Sequence, residues 1–304
     1  MRACTNFWAV ILDGINSMPA TTDAPTPLVE KLYRAGTAPF RLLPDFLIIG
    51  TQRGGTTSLY NYLADHPCIG AASIKEVHFF DSAHFKQGPL WYRGHFPPLW
   101  QKYAAKRERK EPFLTGESSP YYLFHPHTAK RVAALLPQAK LIVMLRNPVN
   151  RAYSHYYHEI AGGHEKLSSF EEAIEQEEER LHEEQEKMAS NADYVGYKHR
   201  HYSYLARGRY IEQLPAWLSL FPQEQVLIIK SEDFYADPAV VYRQTLRFLG
   251  LPDAALKTGQ QEFKTYNETR PPEMKPETRK RLADYFAPYN EQLYDYLKMD
   301  FGWS

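Results

Sequence analysis

Cysteine and surplus charge are both scarce in this sequence of 304 residues. The two cysteines, Cys4 and Cys68, form neither a disulfide framework nor a zinc site with paired ligands, and they fit a reducing compartment. Lysine plus arginine and aspartate plus glutamate count 36 each, so no overall field attracts nucleic acid or an anionic membrane. We therefore expect no nucleic-acid partner, and any anion-binding site must be local.

Long apolar runs are missing as well. The run from Phe7 to Leu12 is too short to span a bilayer or to form the apolar region of a good signal peptide. We expect no transmembrane segment and a soluble, cytoplasmic protein. Apolar residues make up 43% of the chain and aromatic residues 14%, which is typical of a folded globular protein with one large α/β domain or two small ones.

The sequence does contain a predicted strand, a glycine loop and a helix in direct succession. Phe46 to Ile49 is a short apolar run with the composition of a buried strand. Gly50 to Thr57 is a loop rich in hydrogen-bond donors, and Ser58 to Ala64 has helical periodicity. This order of elements aims backbone N–H groups and a helix N-terminus at one point, so it predicts an anion site, above all for phosphate.

A second junction of this kind lies further along the chain. Lys140 to Leu145 predicts a buried strand that ends at Arg146. Asn147 and Pro148 then supply an N-cap and a proline at the first helical position. Because ligands of open α/β sheets bind at the carboxyl ends of the strands, Arg146 is a candidate anion-binding cation.

Predicted strands and helices alternate along the remaining sequence. Val226 to Lys230 reads as a third buried strand, and helices are predicted at Thr128 to Leu136, Tyr210 to Phe221, Pro238 to Leu249 and Glu277 to Leu297, the last broken near Pro288. The alternation predicts an α/β fold with one central, mainly parallel sheet flanked by helices. We place this single domain at residues 44–304, with an acidic, exposed helical segment at about 165–190. Residues 1–43 are predicted to be an irregular extension with one helix near Leu28 to Arg34.

The glycine loop nearly matches the nucleoside-triphosphate loop G-x-x-x-x-G-K-[ST] but lacks its lysine. Counting from Gly50, Thr56 occupies the lysine position. Arg146 stands where an acidic residue would hold magnesium at the end of the KLIVML strand. Kinases and NTPases need that metal to bridge the phosphates, so magnesium-dependent phosphoryl transfer is disfavoured. Two cationic junctions without an evident metal site suit a ligand with separated phosphate groups.

Three motifs together resemble one known family. GTQRGGTTSL resembles the 5′-phosphosulfate loop of sulfotransferases that use 3′-phosphoadenosine 5′-phosphosulfate (PAPS), and LRNPVNRAYSHYY resembles their 3′-phosphate motif. KEVHFFD, with WYR after it, is similar to the heparan sulfate sulfotransferase branch and its bacterial carbohydrate sulfotransferase relatives. The resemblance runs from about Pro44 to the C-terminus and implies a P-loop-like sulfotransferase fold that works without a metal.

The resemblance also implies roles for individual residues. The 5′-phosphosulfate would be held by the loop residues Arg53, Gly54, Gly55, Thr56, Thr57 and Ser58. Arg146 and Ser154 would hold the 3′-phosphate, with Ser154 two turns up the helix that follows the strand. A fixed cation at Arg53, together with backbone N–H groups, would stabilise the charge that grows on the leaving 5′-phosphate.

Glu76 matches the catalytic base of the heparan branch, with His78 and Asp81 as supporting polar groups. The acceptor must lose a proton as it attacks sulfur, and a carboxylate desolvated beside Phe79 and Phe80 is expected to have a raised pKa, which would make it a better base. The spacing of these residues alone is equally compatible with an ordinary strand edge carrying solvated charges.

The chain departs from the heparan branch at three places. Arg53 replaces the usual loop lysine, so it can stabilise charge but is a poor proton donor. Ser118, in GESSPYY, stands where that branch has a second lysine, so part of the cationic clamp is missing or supplied elsewhere. The C-terminal disulfide loop is absent, and Arg270 in KTYNETRPPEM becomes the candidate for closing over the donor.

The predicted function is transfer of a sulfuryl group from PAPS to a hydroxyl or amine of a carbohydrate, such as a polysaccharide or glycolipid. One alternative is a non-catalytic nucleotide-binding or interaction protein that uses the acidic stretch from Lys166 to Lys187 as a docking surface. A P-loop kinase is a further alternative, against which the missing lysine and the missing metal-binding acid both argue.

Overall fold

The computed structural model describes residues 28–108, 110–252, 263, 266 and 271–303. At its centre lies a five-stranded sheet in the order β2-β3-β1-β4-β5, in which every pairing is parallel. The strands are β1 Phe46–Gly50, β2 Ile69–Ala71, β3 Leu114–Ser118, β4 Lys140–Leu145 and β5 Val226–Lys230. The predicted α/β fold with a central parallel sheet is therefore confirmed.

Helices cover both faces of this sheet. Those of the described residues are α1 Leu28–Thr37, α2 Thr56–Ala64, α3 Gly88–Arg93, α4 Leu99–Glu108, α5 Thr128–Leu135, α6 Pro148–Ala161, α7 Phe170–Glu175, α8 Glu177–Ser190, α9 Tyr197–His201, α10 Leu214–Leu218, α11 Ser231–Ala236, α12 Pro238–Leu249 and α13 Pro276–Leu297. One face packs against α2 and α12, and the other against α3, α4, α5, α10 and α13.

The central strands are apolar along their whole length because both of their faces are buried. In β1, Leu47 and Ile49 join one core cluster, whereas Phe46 and Ile48 join the other. All four side chains are 0% exposed. Continuous apolar runs of this kind are typical of parallel strands between two helical layers, which is why the sequence predicted β1, β4 and β5 correctly.

The helix after β4 begins as its sequence predicts. The Asn147 side chain accepts hydrogen bonds from the N–H groups of Val149 and Asn150 at 3.0 and 3.2 Å, and Pro148 occupies the first helical position. One side of α6 is anchored in a third core cluster through Val149 and Tyr156. This anchoring fixes the orientation of α6 relative to the end of β4.

Two helix predictions are corrected at prolines. The helix predicted from Tyr210 is reduced to α10, preceded by a 3-10 turn, because Pro215 has no N–H and is tolerated only near a helix start. The predicted break near Pro288 does not occur, since α13 runs through it. Pro288 and Asp284 are both exposed, so water can bind the Asp284 carbonyl that the proline leaves without its helical donor.

The acidic segment is helical, as predicted, but it is only partly exposed. Glu177 and Glu184 on α8 are 5% and 4% exposed. The Glu177 carboxylate accepts the N–H groups of Leu205 and Ala206 at 2.6 and 2.8 Å. The acidic stretch therefore does more than present charged side chains to solvent, because it also holds the loop after α9 in place.

Near the N-terminal end of the described residues the chain already joins the folded body. Helix α1 is longer than the predicted Leu28 to Arg34. Leu42 is part of the core, and its N–H donates to the Pro97 carbonyl at 2.9 Å. The domain boundary at residue 44 stays a prediction. Among the described residues, no helix combines the length and apolar character that a membrane crossing requires, and cytoplasmic location also stays a prediction.

Candidate active site

The glycine loop after β1 is fixed by backbone contacts to its neighbours in the sheet. The Thr51 N–H donates to the Met144 carbonyl of β4 at 2.7 Å, and the Gly54 N–H donates to the Thr51 carbonyl at 2.9 Å. The Ser231 hydroxyl, at the start of α11, donates to the Gly54 carbonyl at 2.8 Å. The loop is thus held between the carboxyl ends of β1, β4 and β5.

Glycine is required at two positions of this loop. A Cβ atom on Gly54 would lie 2.9 Å from the carbonyl oxygens of both Met144 and Thr51. Gly55 has φ of +93° and is the N-cap of α2, without a capping side chain. A helix leaves its first N–H groups without carbonyl acceptors of its own and carries partial positive charge there. The loop therefore has the geometry of an anion-binding cradle.

Helix α2 begins two residues earlier than predicted, so Thr56 and Thr57 belong to its first turn and not to the loop. Ser58 is 6% exposed, and its oxygen accepts the N–H of Tyr266 at 3.2 Å. The Ser58 hydroxyl is therefore already engaged within the protein. Arg270, the predicted closing residue, lies outside the described residues.

Arg53, Arg146 and Ser154 come together although they belong to different parts of the chain. Arg53 Nε donates to Ser154 Oγ at 3.0 Å. Arg146 Nη1 donates to the Arg53 carbonyl at 2.9 Å. Burial and the nearby Arg146 charge lower the pKa of Arg53. The two predicted phosphate junctions are thus neighbours, because β1 and β4 are adjacent, and a bound anion would relieve the repulsion between the two cations.

The segment that carries Glu76 is an irregular loop after β2, in which Glu76 and His78 have φ of +60° and +51°. Glu76 Oε1 lies 2.8 Å from Lys75 Nζ, and Oε2 lies 3.0 Å from His78 Nε2. Burial by itself would raise the pKa of Glu76, but the hydrogen bond from His78 and the charge of Lys75 outweigh it and hold that pKa well below its ordinary value. The predicted raised pKa is therefore wrong.

The two phenylalanines do not desolvate Glu76 as expected. Phe79 and Phe80 are 1% and 0% exposed and pack into the core with Tyr92, whereas the Glu76 side chain is 35% exposed. In a segment without regular secondary structure, neighbouring residues can point in opposite directions. The ionic partners of Glu76, and not the rings, set its protonation.

His78 sits between two carboxylates and one guanidinium. Its Nδ1 lies 2.8 Å from Asp81 Oδ2, and its Nε2 lies 2.8 Å from Arg200 Nη2. Burial and the Arg200 charge lower the pKa of His78, yet the two carboxylates raise it to about 9. A single ring nitrogen either donates to Glu76 or accepts from Arg200, so only one of these contacts can be a hydrogen bond at a time.

A buried carboxylate behind this loop fixes its backbone. Glu117, near the end of β3, is 0% exposed, and burial raises its pKa. Ser119 and Tyr122 donate to it at 2.7 and 3.0 Å. Their oxygens in turn accept the N–H groups of His78 and Phe79, at 3.3 and 2.9 Å. The GESSPYY motif thereby positions the loop that carries Glu76, while Ser118, also buried, supplies no cation.

A cavity of about 210 Å³ joins the two halves of the site. Four predicted residues line it, namely Arg53, Thr56, Thr57 and Glu76. Seven that the sequence did not assign also line it, namely Gln52, Pro120, His158, Glu159, His164, Arg200 and His201. The remaining described residues of the predicted site are not among those that line it, namely Gly54, Gly55, Ser58, His78, Arg146 and Ser154.

Arg200 is the functional residue most clearly missed. It brings a cation to the cavity beside Glu76, in a site where Ser118 replaces an expected lysine. The segment from Tyr194 to Tyr210 is rich in tyrosine, histidine and arginine, which was the available signal. Composition alone did not show that α9 would carry Arg200 and His201 to the cavity.

Comparison with known proteins identifies similar chains. The family model described as "Sulfotransferase domain" matches residues 43–282. The chain is 31% identical to the membrane-associated sulfotransferase kil1 of Dictyostelium discoideum, over 86% of this chain and 67% of that protein. It is 28% identical to the heparan sulfate glucosamine 3-O-sulfotransferase 3B1 of Mus musculus, over 94% of this chain and 70% of that protein.

A solved structure shares the fold. The crystal structure of a sulfotransferase from Alicyclobacillus acidocaldarius is 32% identical and superposes with a TM-score of 0.62. The match covers 85% of this chain and 97% of that one.

Proposed function

Since the chain belongs to the sulfotransferase domain family, we propose that it moves a sulfuryl group from PAPS to a hydroxyl or amine of a carbohydrate. One observation carries this proposal. Arg53, Thr56 and Thr57, which flank the two glycines of the loop, line the same cavity of about 210 Å³ as Glu76. An anion-binding loop and a proton acceptor that face each other are the two parts that in-line sulfuryl transfer needs.

The residues present fit a donor with two separated anionic groups. The N–H groups of Thr51 and Gly54 are used within the fold, so the N–H groups at the start of α2 would hold the 5′-phosphosulfate. Arg146 and Ser154 would hold the 3′-phosphate, and Arg53, bonded to Ser154, lies between the two groups.

The proposed step conserves atoms and charge. The acceptor oxygen or nitrogen forms a bond to sulfur while the bond from sulfur to the bridging oxygen of the 5′-phosphate breaks, so adenosine 3′,5′-bisphosphate (PAP) leaves. Glu76 takes the acceptor proton, and Arg53 with the loop N–H groups stabilises the charge on the leaving phosphate. The contacts with Lys75 and His78 keep Glu76 ionised at neutral pH, so it can accept that proton. Its lowered pKa makes it a weaker base than an ordinary carboxylate.

Two observations support a carbohydrate acceptor. A relative of similar sequence is named as a heparan sulfate glucosamine sulfotransferase. The cavity of about 210 Å³ is smaller than the roughly 300–1,000 Å³ that enclose a drug-sized ligand. It suits one reacting group of a larger acceptor, such as a polysaccharide or glycolipid, whose remainder lies outside.

The test is release of PAP from PAPS, without added metal, against a panel of glycans, sterols and phenols. We expect turnover with at least one glycan. Tight ATP binding that requires magnesium, together with no binding of PAPS, would refute the proposal in favour of a kinase. Binding of PAPS without turnover on any acceptor would favour the non-catalytic alternative.

Glu76→Gln tests the assignment of the base. We expect turnover to fall by more than about tenfold, or 1.4 kcal/mol of barrier, while the affinity for PAP is unchanged. Glu175→Gln is the matched control, since Glu175 is 65% exposed and pairs with Arg281 on the surface. If the Glu76 variant keeps activity within tenfold, the base is another residue, and His78 is the next to replace.

A further inference from the structure

Three side chains of metal-ligating types line the cavity close together. Glu159 lies near the end of α6, His164 follows that helix, and His201 ends α9. One ligand atom from each lies within 4.8 Å of the others. The His164 and His201 rings stack with their centroids 4.2 Å apart. Residues so far apart in the sequence meet only because α9 packs beside the end of α6.

Neighbouring groups orient these side chains. Glu159 is 2% exposed, and its Oε1 lies 3.1 Å from His155 Nε2 while its Oε2 lies 2.7 Å from His201 Nδ1. His164 Nδ1 lies 3.1 Å from the Tyr197 hydroxyl, a contact that favours ligation through Nε2. Metal-binding histidines and carboxylates typically have such outer hydrogen-bond partners, which fix the tautomer and the ring orientation.

We propose that Glu159, His164 and His201 bind a divalent transition metal of the Zn²⁺ class, with an open coordination position toward the cavity. Two imidazoles and one carboxylate are a common zinc ligand set, with metal–ligand distances of about 2.0–2.2 Å. Ligands at those distances lie about 3.3 Å apart, so atoms already within 4.8 Å can close around an ion by side-chain rotation. That rotation must also separate the stacked rings of His164 and His201, because an ion lies in the plane of each imidazole that binds it. If His201 ligates through Nδ1, its contact with Glu159 breaks and the proton of the neutral ring lies on Nε2.

The location of this site means that a bound ion would affect sulfuryl transfer. All three ligands line the same cavity as Arg53 and Glu76. An ion there fills part of the space that the acceptor needs and adds positive charge to the cavity that Glu76 lines. We therefore expect the metal to inhibit transfer by competing with the acceptor. This consequence rests on the proposed function, whereas binding of the metal does not.

Binding is measured with the full chain, free of any histidine tag, by calorimetric titration with Zn²⁺ and by the visible absorption of bound Co²⁺. We expect one ion per chain, with affinity weakened by about tenfold or more in His164→Gln and in His201→Gln. Two histidine variants serve as controls. His158→Gln replaces a histidine that lines the same cavity but is not part of the cluster. His182→Gln replaces a surface histidine that is 73% exposed and lies 3.6 Å from Glu186. Both controls should bind as the unaltered chain does.

Two results would refute the metal site. One is a titration that shows no saturable binding of one ion per chain. The other is equal metal affinity of His164→Gln and the unaltered chain when thermal melts show that both are folded. In the activity arm, Zn²⁺ should raise the apparent KM for the acceptor in the unaltered chain and not in His164→Gln. Inhibition that persists in His164→Gln contradicts the proposed mechanism of inhibition. If no acceptor is turned over, the function fails while the titration still decides the metal site.

Discussion

Arg146→Ala is the substitution that best separates the proposed 3′-phosphate contact from structural support of the loop. The Arg146 guanidinium contacts both the glycine loop and Tyr235. It donates to the Arg53 carbonyl at 2.9 Å, and its guanidinium lies 5.6 Å from the Tyr235 ring centroid. A charge-assisted hydrogen bond to a phosphate is worth about 1.5–3 kcal/mol, so its removal should weaken PAP binding between about 10-fold and 150-fold.

The loop contribution can be measured with a second variant. The Tyr235 hydroxyl donates to the same Arg53 carbonyl at 3.3 Å, so Tyr235→Phe removes support from the loop and leaves the Arg146 charge in place. A neutral hydrogen bond of this length is worth at most about 1 kcal/mol, which is about a fivefold change in affinity.

The assay compares two ligands by calorimetry. PAP carries the 3′-phosphate and AMP lacks it, so the ratio of their affinities isolates that group. Arg146→Ala should lower the affinity for PAP and leave that for AMP within about fivefold, and added salt should weaken PAP binding less in this variant. Equal losses for both ligands would show that Arg146 acts only through the Arg53 carbonyl. Unchanged PAP affinity would reject the assignment altogether.

Two further predictions concern the glycine loop and pH. Gly54→Ala should abolish PAP binding and destabilise the fold by about 1–3 kcal/mol, because its Cβ meets backbone oxygens that cannot move away. The control is Gly36→Ala on α1, where a Cβ atom has no neighbour within 4 Å. In thermal melts this control should be as stable as the unaltered chain or more stable, and its PAP binding should be unchanged. Burial raises the pKa of Glu177 from 4.5 to about 7, so its stabilisation is present below pH 4.5 and is lost as the pH rises through 7. Denaturant unfolding should therefore show the unaltered chain losing about 3 kcal/mol relative to Glu177→Gln across that interval, and parallel pH profiles would contradict the shift.

The sequence alone predicted a parallel sheet and three of its five strands, β1, β4 and β5, together with the two junctions that follow β1 and β4. Buried strands such as β4 are recognisable in the sequence as short apolar runs, because both faces of a buried parallel strand are covered. The N-cap at Asn147 and the glycines of the loop are local features that depend on a few adjacent residues. The family resemblance added Glu76, which the structure does place on the cavity with Arg53.

Tertiary structure decided the electrostatics of the site and which additional residues line its cavity. The pKa of Glu76 is lowered, and not raised as predicted, because the Glu76 carboxylate contacts Lys75 and His78. The adjacent phenylalanines pack into the core. Arg200 and His201 reach the cavity only through the packing of α9, whose placement depends on contacts with distant segments. Local sequence patterns fix elements and their ends, but which side chains meet across a cavity depends on how those elements pack.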